Sequence, residues 1–160
     1  MLNIQRRLFA QATLTGAAPA LAQPSASAMD IQRHEQAPRL QGIPLISWAV
    51  AHGDMVYLSG ITPKPRELGG EPEDIKSQTR EVLARVDELL AKAGSHKSRV
   101  LSAQVWLTDM ALFAEHNEAW NEWVDPANPP ARACLNSPKL WRPGMLVEVM
   151  LTAVKAHARI

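Results

Sequence analysis

Cysteine is nearly absent from this chain, because Cys134 is the single one among 160 residues. One thiol cannot form an internal disulfide and cannot supply a cysteine-based zinc site. Neither sign of charge dominates, since 17 basic residues stand against 16 acidic ones. A net charge of +1 without a visible basic face gives no electrostatic footprint for nucleic acid, so no nucleic-acid partner is predicted.

Long hydrophobic runs are also missing, and the nearest approach to one lies at the N-terminus. Arg6-Arg7 precede a mildly apolar run at 8–22 that ends in a small-residue cleavage site. This layout is typical of a twin-arginine export signal, and the run is too short to span a membrane. The alternative is translation from Met29. We therefore assign 1–28 to an export signal or an upstream start, and 29–160 to one domain that is periplasmic or exported in the first case and cytoplasmic in the second.

Apolar residues make up 46% of the chain, and their spacing predicts a regular succession of strands and helices. A Gly-Asp turn between two short apolar runs predicts a β-hairpin. Apolar residues at three- and four-residue steps predict two amphipathic helices, and His116 on the second of them is expected in the core. The predicted elements are strands at 45–51 and 55–59, a helix at 74–93, a strand at 100–107, a helix capped by Asp109 and ended at 125, and strands at 131–135 and 145–156, after a leader strand or arm at 30–42.

This β-β-α-β-α-β-β order predicts an α+β fold with one sheet and both helices on one of its faces. The last strand, however, is mainly apolar on both of its sides. A strand of that kind is buried on both faces, and two helices cover only one. We therefore expect another subunit to cover the second face.

Two charged residues, Arg132 and Glu148, interrupt the last two strands. An ion in apolar surroundings has a partner or a function, because a buried unpaired charge is costly. The planar guanidinium of Arg132 suits bidentate binding of a carboxylate. Glu148 suits proton transfer to and from water if partial burial raises its pKa. The alternative is a structural salt bridge, between the two residues or across a subunit interface.

Several short motifs lie along the chain between about residue 42 and residue 155. They are Gly53-Asp54 before Val56-Tyr57-Leu58-Ser59-Gly60, then Pro63, Asp74-Ile75, Gln78-Thr79-Arg80, Leu107-Thr108-Asp109-Met110 with Phe113 and Asn117, Pro130-Ala131-Arg132-Ala133-Cys134, and Leu146-Val147-Glu148-Val149. In their order and spacing they resemble the motifs of the Rid family, also called YjgF-like, the reactive intermediate deaminases.

The resemblance implies a chorismate-mutase-like fold, a homotrimer and sites in the clefts between subunits. It implies hydrolysis of enamine or imine intermediates, such as 2-aminoacrylate, to a 2-keto acid and ammonia, without a metal or an organic cofactor. Arg132 would bind the carboxylate of this small-molecule substrate, and Glu148 would hold or activate the attacking water. Ser59 and Cys134 match positions that line the family's cleft, and Trp48 is predicted either to line the cleft and contact the substrate or to pack in the core.

Three positions and the length of one loop depart from the pattern of the well-characterised deaminases. The first strand has Ile46-Ser47-Trp48 in place of a Tyr, Ile61 replaces a Gln, and Met150 replaces a second Glu. The loop between Arg132 and Glu148 is longer by about one residue and contains Trp141. These changes make the cleft more apolar. They leave open a second hypothesis, a non-catalytic module of the same fold that binds carboxylates through Arg132.

Overall fold

The computed structural model describes residues 30–65 and 74–156. The segment assigned above to an export signal or an upstream start lies outside these residues. Within the two described ranges, neither α-helix combines the length and the apolarity that crossing a membrane requires.

A six-stranded mixed sheet and two α-helices form the domain, which confirms the predicted α+β fold. The leader at 30–42, predicted as a strand or an arm, contributes a strand of its own at the edge of the sheet. The strands run in the order β1-β2-β3-β6-β4-β5, and only the β4–β5 pair of this sheet is parallel. The elements are β1 (Gln32–Gln36), β2 (Ser47–His52), β3 (Met55–Leu58), α1 (Ile75–Lys92), β4 (Val100–Leu107), α2 (Phe113–Trp123), β5 (Ala131–Asn136) and β6 (Val147–Val154).

The ends of the helices follow the capping signals of the sequence. The Asp74 carboxylate accepts hydrogen bonds from the first backbone N–H groups of α1, and Gly94 follows its last turn with a φ of +77°, which favours glycine. Asp109, predicted to cap the second helix, instead caps a short 3₁₀ turn, Met110–Leu112, that leads into α2. The turn tightens the entry into the helix and moves its start by a few residues.

The core lies between the helices and one face of the sheet. On β6, Val147, Val149, Leu151 and Ala153 are almost fully buried, as the alternation of the sequence predicts. They pack with a buried stripe of α1 and with the inward residues of the neighbouring strands. Each buried Val or Leu contributes about 2 kcal/mol through removal from water, so this layer is the main source of stability.

The opposite face of the sheet is not covered by the two helices. Tyr57 is 47% exposed, Leu135 47% and Met150 37%, and all three side chains alternate with helix-facing positions. We call this surface the open face. Its apolar side chains agree with the expectation that a second copy of the chain packs against it.

The first strand is tied to the first helix by one carboxylate. Glu35 has a φ of +55°, a left-handed conformation that costs a non-glycine residue about 1 kcal/mol. Its two carboxylate oxygens accept hydrogen bonds from Arg85 and Lys92 of α1. These bonds hold the pKa of Glu35 below its usual value, Lys92 contributing most and Arg85 next.

We expect Glu35→Gln to lower the free energy of unfolding at pH 7 by about 1 kcal/mol, because it removes a partly buried double ion pair. The stabilisation needs the ionised carboxylate, so it is lost as the pH falls through the lowered pKa of the folded state, below the ordinary value of 4.5. Urea unfolding at a series of pH values measures this. Glu88→Gln, at an exposed partner of Arg85, is the matched control and should change stability less. Equal losses of stability from the two substitutions would show that the contacts of Glu35 with Arg85 and Lys92 do not stabilise the fold.

Candidate active site

Arg132 lies on β5 and points to the helix side of the sheet. It pairs with the buried Ala103 of β4, which fixes the face that its side chain occupies. Its guanidinium lies 4.7 Å from the ring of Trp120 and 6.0 Å from that of Phe113, and its Nη1 donates a 2.9 Å hydrogen bond to Asn117 Oδ1. The three contacts come from one face of α2. They hold the guanidinium by cation–π contact and by one hydrogen bond, so its plane is fixed.

Two nitrogen atoms of this guanidinium lack a hydrogen-bond partner. Nε and Nη2 of Arg132 are buried and have no acceptor among the described residues. The same residues provide no carboxylate for it, so the salt-bridge alternative does not hold within the described part of one chain. Burial lowers the pKa of Arg132, but an arginine keeps its charge at neutral pH. A fixed cation with unpaired donors suits a planar anion such as a carboxylate.

His116 lies behind this site in the core between the helices, as expected. It is fully buried, and its Nδ1 lies 3.0 Å from the hydroxyl oxygen of Thr79 on α1. Its Nε2 has no partner among the described residues. Burial, and after it the charge of Arg132, lower the pKa of His116 to about 4. The imidazole is therefore neutral at physiological pH and adds no second cation beside the guanidinium.

Glu148 lies on the opposite side of the sheet, on the open face. It pairs with Trp106 of β4, and its neighbours along β6 point into the core. Its carboxylate has no hydrogen-bond partner in the described ranges, and burial raises its pKa above the ordinary value. A half-buried carboxylate with a raised pKa and free oxygens suits acceptance of a proton from water.

Gly60 makes room for this carboxylate. A Cβ atom built on Gly60 would lie 1.9 Å from Glu148 Oε1. The register with β6 also changes by one residue between the pairs Tyr57↔Thr152 and Ile61↔Val149, which places a bulge in the segment 58–60 that contains Gly60. Bulges of this kind redirect the chain beside functional groups, and here the bulge brings bare backbone against the carboxylate.

One chain therefore does not bring Arg132 and Glu148 together, although both are the strongest site residues predicted. The first faces the helices and the second faces away from them. Side chains alternate across a strand, so no local movement of the sheet places the two groups in one pocket. A site that uses both needs residues from two copies of the chain.

The other predicted site residues divide between the two faces. Ser59 Oγ donates a 2.8 Å hydrogen bond to the Ser47 carbonyl, so its hydroxyl is engaged in joining β2 to the end of β3. The Ser59 backbone N–H donates to the carbonyl of Trp48, whose partly buried side chain packs against the hydrophobic core. Ser59 adjoins Gly60, the residue that approaches Glu148. Cys134 follows Arg132 on the helix side, where burial raises the pKa of its thiol and keeps it protonated.

Two residues contact the Arg132 guanidinium although the sequence patterns give them no such role. Phe113, named above only within the family motifs, is 39% exposed and lies against the guanidinium of Arg132. Asn117 appeared in the family resemblance without a role, and it orients the same guanidinium. The signal for both was helical spacing, because positions 113, 117 and 120 share one face of α2.

A metal site is not apparent where the structure is described. No group of three or more His, Cys, Asp or Glu side chains in 30–65 and 74–156 is arranged to hold a metal ion.

Comparison with protein families identifies the group to which the chain is related. The family model described as Endoribonuclease L-PSP matches residues 39–155. The chain belongs to this family. It is the YjgF/Rid family that the sequence motifs resemble, so that prediction is confirmed.

Individual relatives support the assignment. A RutC family protein of Haemophilus influenzae is 41% identical over 125 residues, which are 78% of this chain and 98% of the relative. An Escherichia coli protein named "Putative reactive intermediate deaminase TdcF" is 30% identical over 105 residues, which are 64% of this chain and 76% of the relative. A solved YjgF-family structure from Neisseria meningitidis has a TM-score of 0.71 and 39% identity, and the match covers 82% of this chain and 99% of that one.

We expect His116→Met to flatten the dependence of stability on pH. The folded protein disfavours protonated His116. The neutral imidazole therefore makes its full contribution to stability above pH 6.5, and this contribution is lost as the pH falls from 6.5 to about 4. In that window the wild type should lose up to about 3 kcal/mol more free energy of unfolding than the variant. Chemical unfolding at each pH measures the difference, with His52→Gln at an exposed histidine as the control. Parallel curves for the wild type and His116→Met would show that His116 is not buried as a neutral group.

Proposed function

We propose that the protein hydrolyses 2-imino acids and their enamine tautomers to 2-keto acids and ammonia without a cofactor. The observation that carries the proposal is the Arg132 guanidinium, which α2 holds in place while two buried donors remain unpaired. The relative named as a reactive intermediate deaminase supports the reaction class. Small 2-imino acids carry the carboxylate that such a guanidinium recognises.

The site is proposed to form between two copies of a homotrimer. Arg132 lies on the edge strand β5, whereas Glu148 lies on the open face of the sheet. Packing the β5–α2 edge of one copy against the open face of the next would bring the two groups together. It would also cover Tyr57 and Met150, which the chain's own helices leave exposed. The same packing would exclude bulk water and strengthen the electrostatic contacts in the site.

The reaction needs few groups. Arg132 binds the carboxylate of the protonated imine and fixes the position of its C2 atom. Glu148 accepts a proton from water as the water oxygen bonds to C2, and the carboxyl then returns that proton to nitrogen. The C–N bond breaks, ammonia leaves, and loss of the hydroxyl proton gives the keto acid. Such imines are labile in water, so orientation and one proton-transfer group supply much of the acceleration.

The second candidate is a carboxylate-binding module without turnover. Its support is that the Arg132 contacts are complete in one chain, whereas Glu148 has no described residue that orients it. Met150 also replaces a carboxylate of the well-characterised deaminases. Turnover separates the two candidates, because a module binds keto acids through Arg132 and releases none from an imine.

We expect the wild type to accelerate keto-acid release from 2-aminoacrylate generated in situ from serine, and Arg132→Ala to lower kcat/KM about 100-fold. Arg132→Lys should lose less activity than Arg132→Ala, since lysine keeps the positive charge but cannot donate two parallel hydrogen bonds to a carboxylate. Arg80→Ala, at an exposed arginine paired with Glu122, is the matched control. A wild-type rate equal to the uncatalysed rate would refute the hydrolase, and a bound carboxylate would then favour the module.

The position of Glu148 gives a second test, through Gly60→Ala. The added methyl group must displace the Glu148 carboxylate, and a displacement of this size lowers kcat by about tenfold to 100-fold. Because the displaced atoms end a flexible side chain, we expect stability to change by less than about 1 kcal/mol. Gly94→Ala provides the opposite control, since its Cβ meets no atom within 4 Å but its φ of +77° is unfavourable for alanine. That control should lose stability and keep its rate, and an unchanged kcat in Gly60→Ala would contradict the role of Glu148.

A further inference from the structure

The loop between β5 and β6 (residues 137–146, here the β5–β6 loop) is built as a fixed structure. Gln78 of α1 is 2% exposed and uses both ends of its side-chain amide on this loop. Its Nε2 donates to the Gly144 carbonyl at 2.8 Å, and its Oε1 accepts from the Leu146 N–H at 2.8 Å. At the other end, the Ser137 N–H donates to the Leu107 carbonyl at 2.8 Å. Buried hydrogen bonds at both ends fix the path of the loop.

The loop presents one aromatic side chain. Trp141 is 55% exposed, yet its indole Nε1 donates a 3.1 Å hydrogen bond to Thr62 Oγ1. The guanidinium of Arg142 covers one face of the ring at 4.6 Å. The exposed area therefore lies on the rest of the ring, and the hydrogen bond sets the direction in which it points.

Strand register places this ring beside Glu148. Ile61 and Val149 exchange both of their backbone hydrogen bonds, at 2.8 and 2.9 Å, and form an antiparallel bridge. One residue further in the same register, Thr62 stands opposite Glu148. Side chains opposite each other in such a pair have Cβ atoms about 5 Å apart. The residue that holds the Trp141 indole is thus the cross-strand neighbour of Glu148.

The hydrogen bond and the Arg142 contact occupy only part of the Trp141 indole. The exposed part of the ring, next to the proposed proton-transfer group, forms an apolar wall against which a ligand can pack beyond its reacting carbon. A 2-imino acid carries its carboxylate on one side of C2 and its side chain on the other. With the carboxylate on Arg132 and the water on Glu148, the side chain extends toward neighbours of Glu148.

We propose that Trp141 determines specificity by packing against the substrate side chain, and that the site prefers branched or aromatic 2-imino acids to the smallest ones. Gln78 is the positioning residue that holds the β5–β6 loop, and with it Trp141, in place. This inference rests on the proposed function for the position of the ligand. It adds the substrate class, a role for Trp141 and a role for Gln78.

Binding of the keto-acid products by the full-length protein tests the wall without requiring turnover. Isothermal titration with pyruvate and with 4-methyl-2-oxopentanoate should give the wild type about tenfold tighter binding of the branched acid, the scale expected for a few buried methylene groups. Trp141→Ala should reduce this preference to about twofold or less, because the apolar wall is gone. Trp141→Phe should keep most of it, because an aromatic face remains.

Ile31→Ala is the matched control, since Ile31 is 54% exposed and precedes β1 at the end of the sheet away from Glu148. It should leave the preference unchanged. Gln78→Glu keeps the shape of the side chain but removes the donor to Gly144, and it should reduce the preference without reaching the loss in Trp141→Ala. Circular dichroism and thermal unfolding establish that each variant is folded.

The outcomes separate this inference from the proposed function. Equal affinity of the wild type for the two acids, binding of neither acid, an unchanged preference in Trp141→Ala, or the same loss in Trp141→Phe would each overturn the wall. A Trp141-dependent preference without keto-acid release from imines would keep the wall and refute the hydrolase. Turnover of imines generated from alanine and leucine by an amino-acid oxidase should show the same Trp141-dependent preference in kcat/KM.

Discussion

The packing of two helices against one face of a six-stranded sheet is the constraint from which the other features follow. Alternate residues of β6 are buried in that layer, so their neighbours, including Glu148, must point away from it. Arg132 shares the buried side through its pairing with Ala103. The arrangement that stabilises the domain thus separates the two charges of the proposed site, and it leaves an apolar surface that a second copy is suited to cover.

The two charges are also held in different ways. Arg132 is fixed by α2, through Trp120, Phe113 and Asn117, so its orientation needs no partner subunit. Glu148 is placed on the open face by the strand that carries it, and the absence of a side chain at Gly60 leaves room for its carboxylate. A preformed cation and a carboxylate with free oxygens are complementary halves of the proposed site, the first suited to recognition and the second to proton transfer. Each half is present in one chain, and assembly is proposed to complete the site.

Sequence patterns predicted the helices and strands because their apolar spacing is regular, and they identified Arg132 and Glu148 because ions are rare in such strands. Local periodicity does not state which strands become neighbours, so it did not show that the two residues face opposite sides. The sheet order and the register of β4 with β5 and β6 decide this, and both are long-range properties. For the same reason the contacts of Trp141 with Thr62, 79 positions apart, had no local signal.

The close approach of Gly60 to Glu148 also has a consequence for how this sequence can change over evolutionary time. The space that a side chain at position 60 would occupy already holds the end of the longer acidic residue at position 148. The two positions are therefore coupled, although 87 residues of chain lie between them. A lineage that gains a side chain at position 60 moves the carboxylate of residue 148 out of its present place, so a change at one position alters the selection on the other.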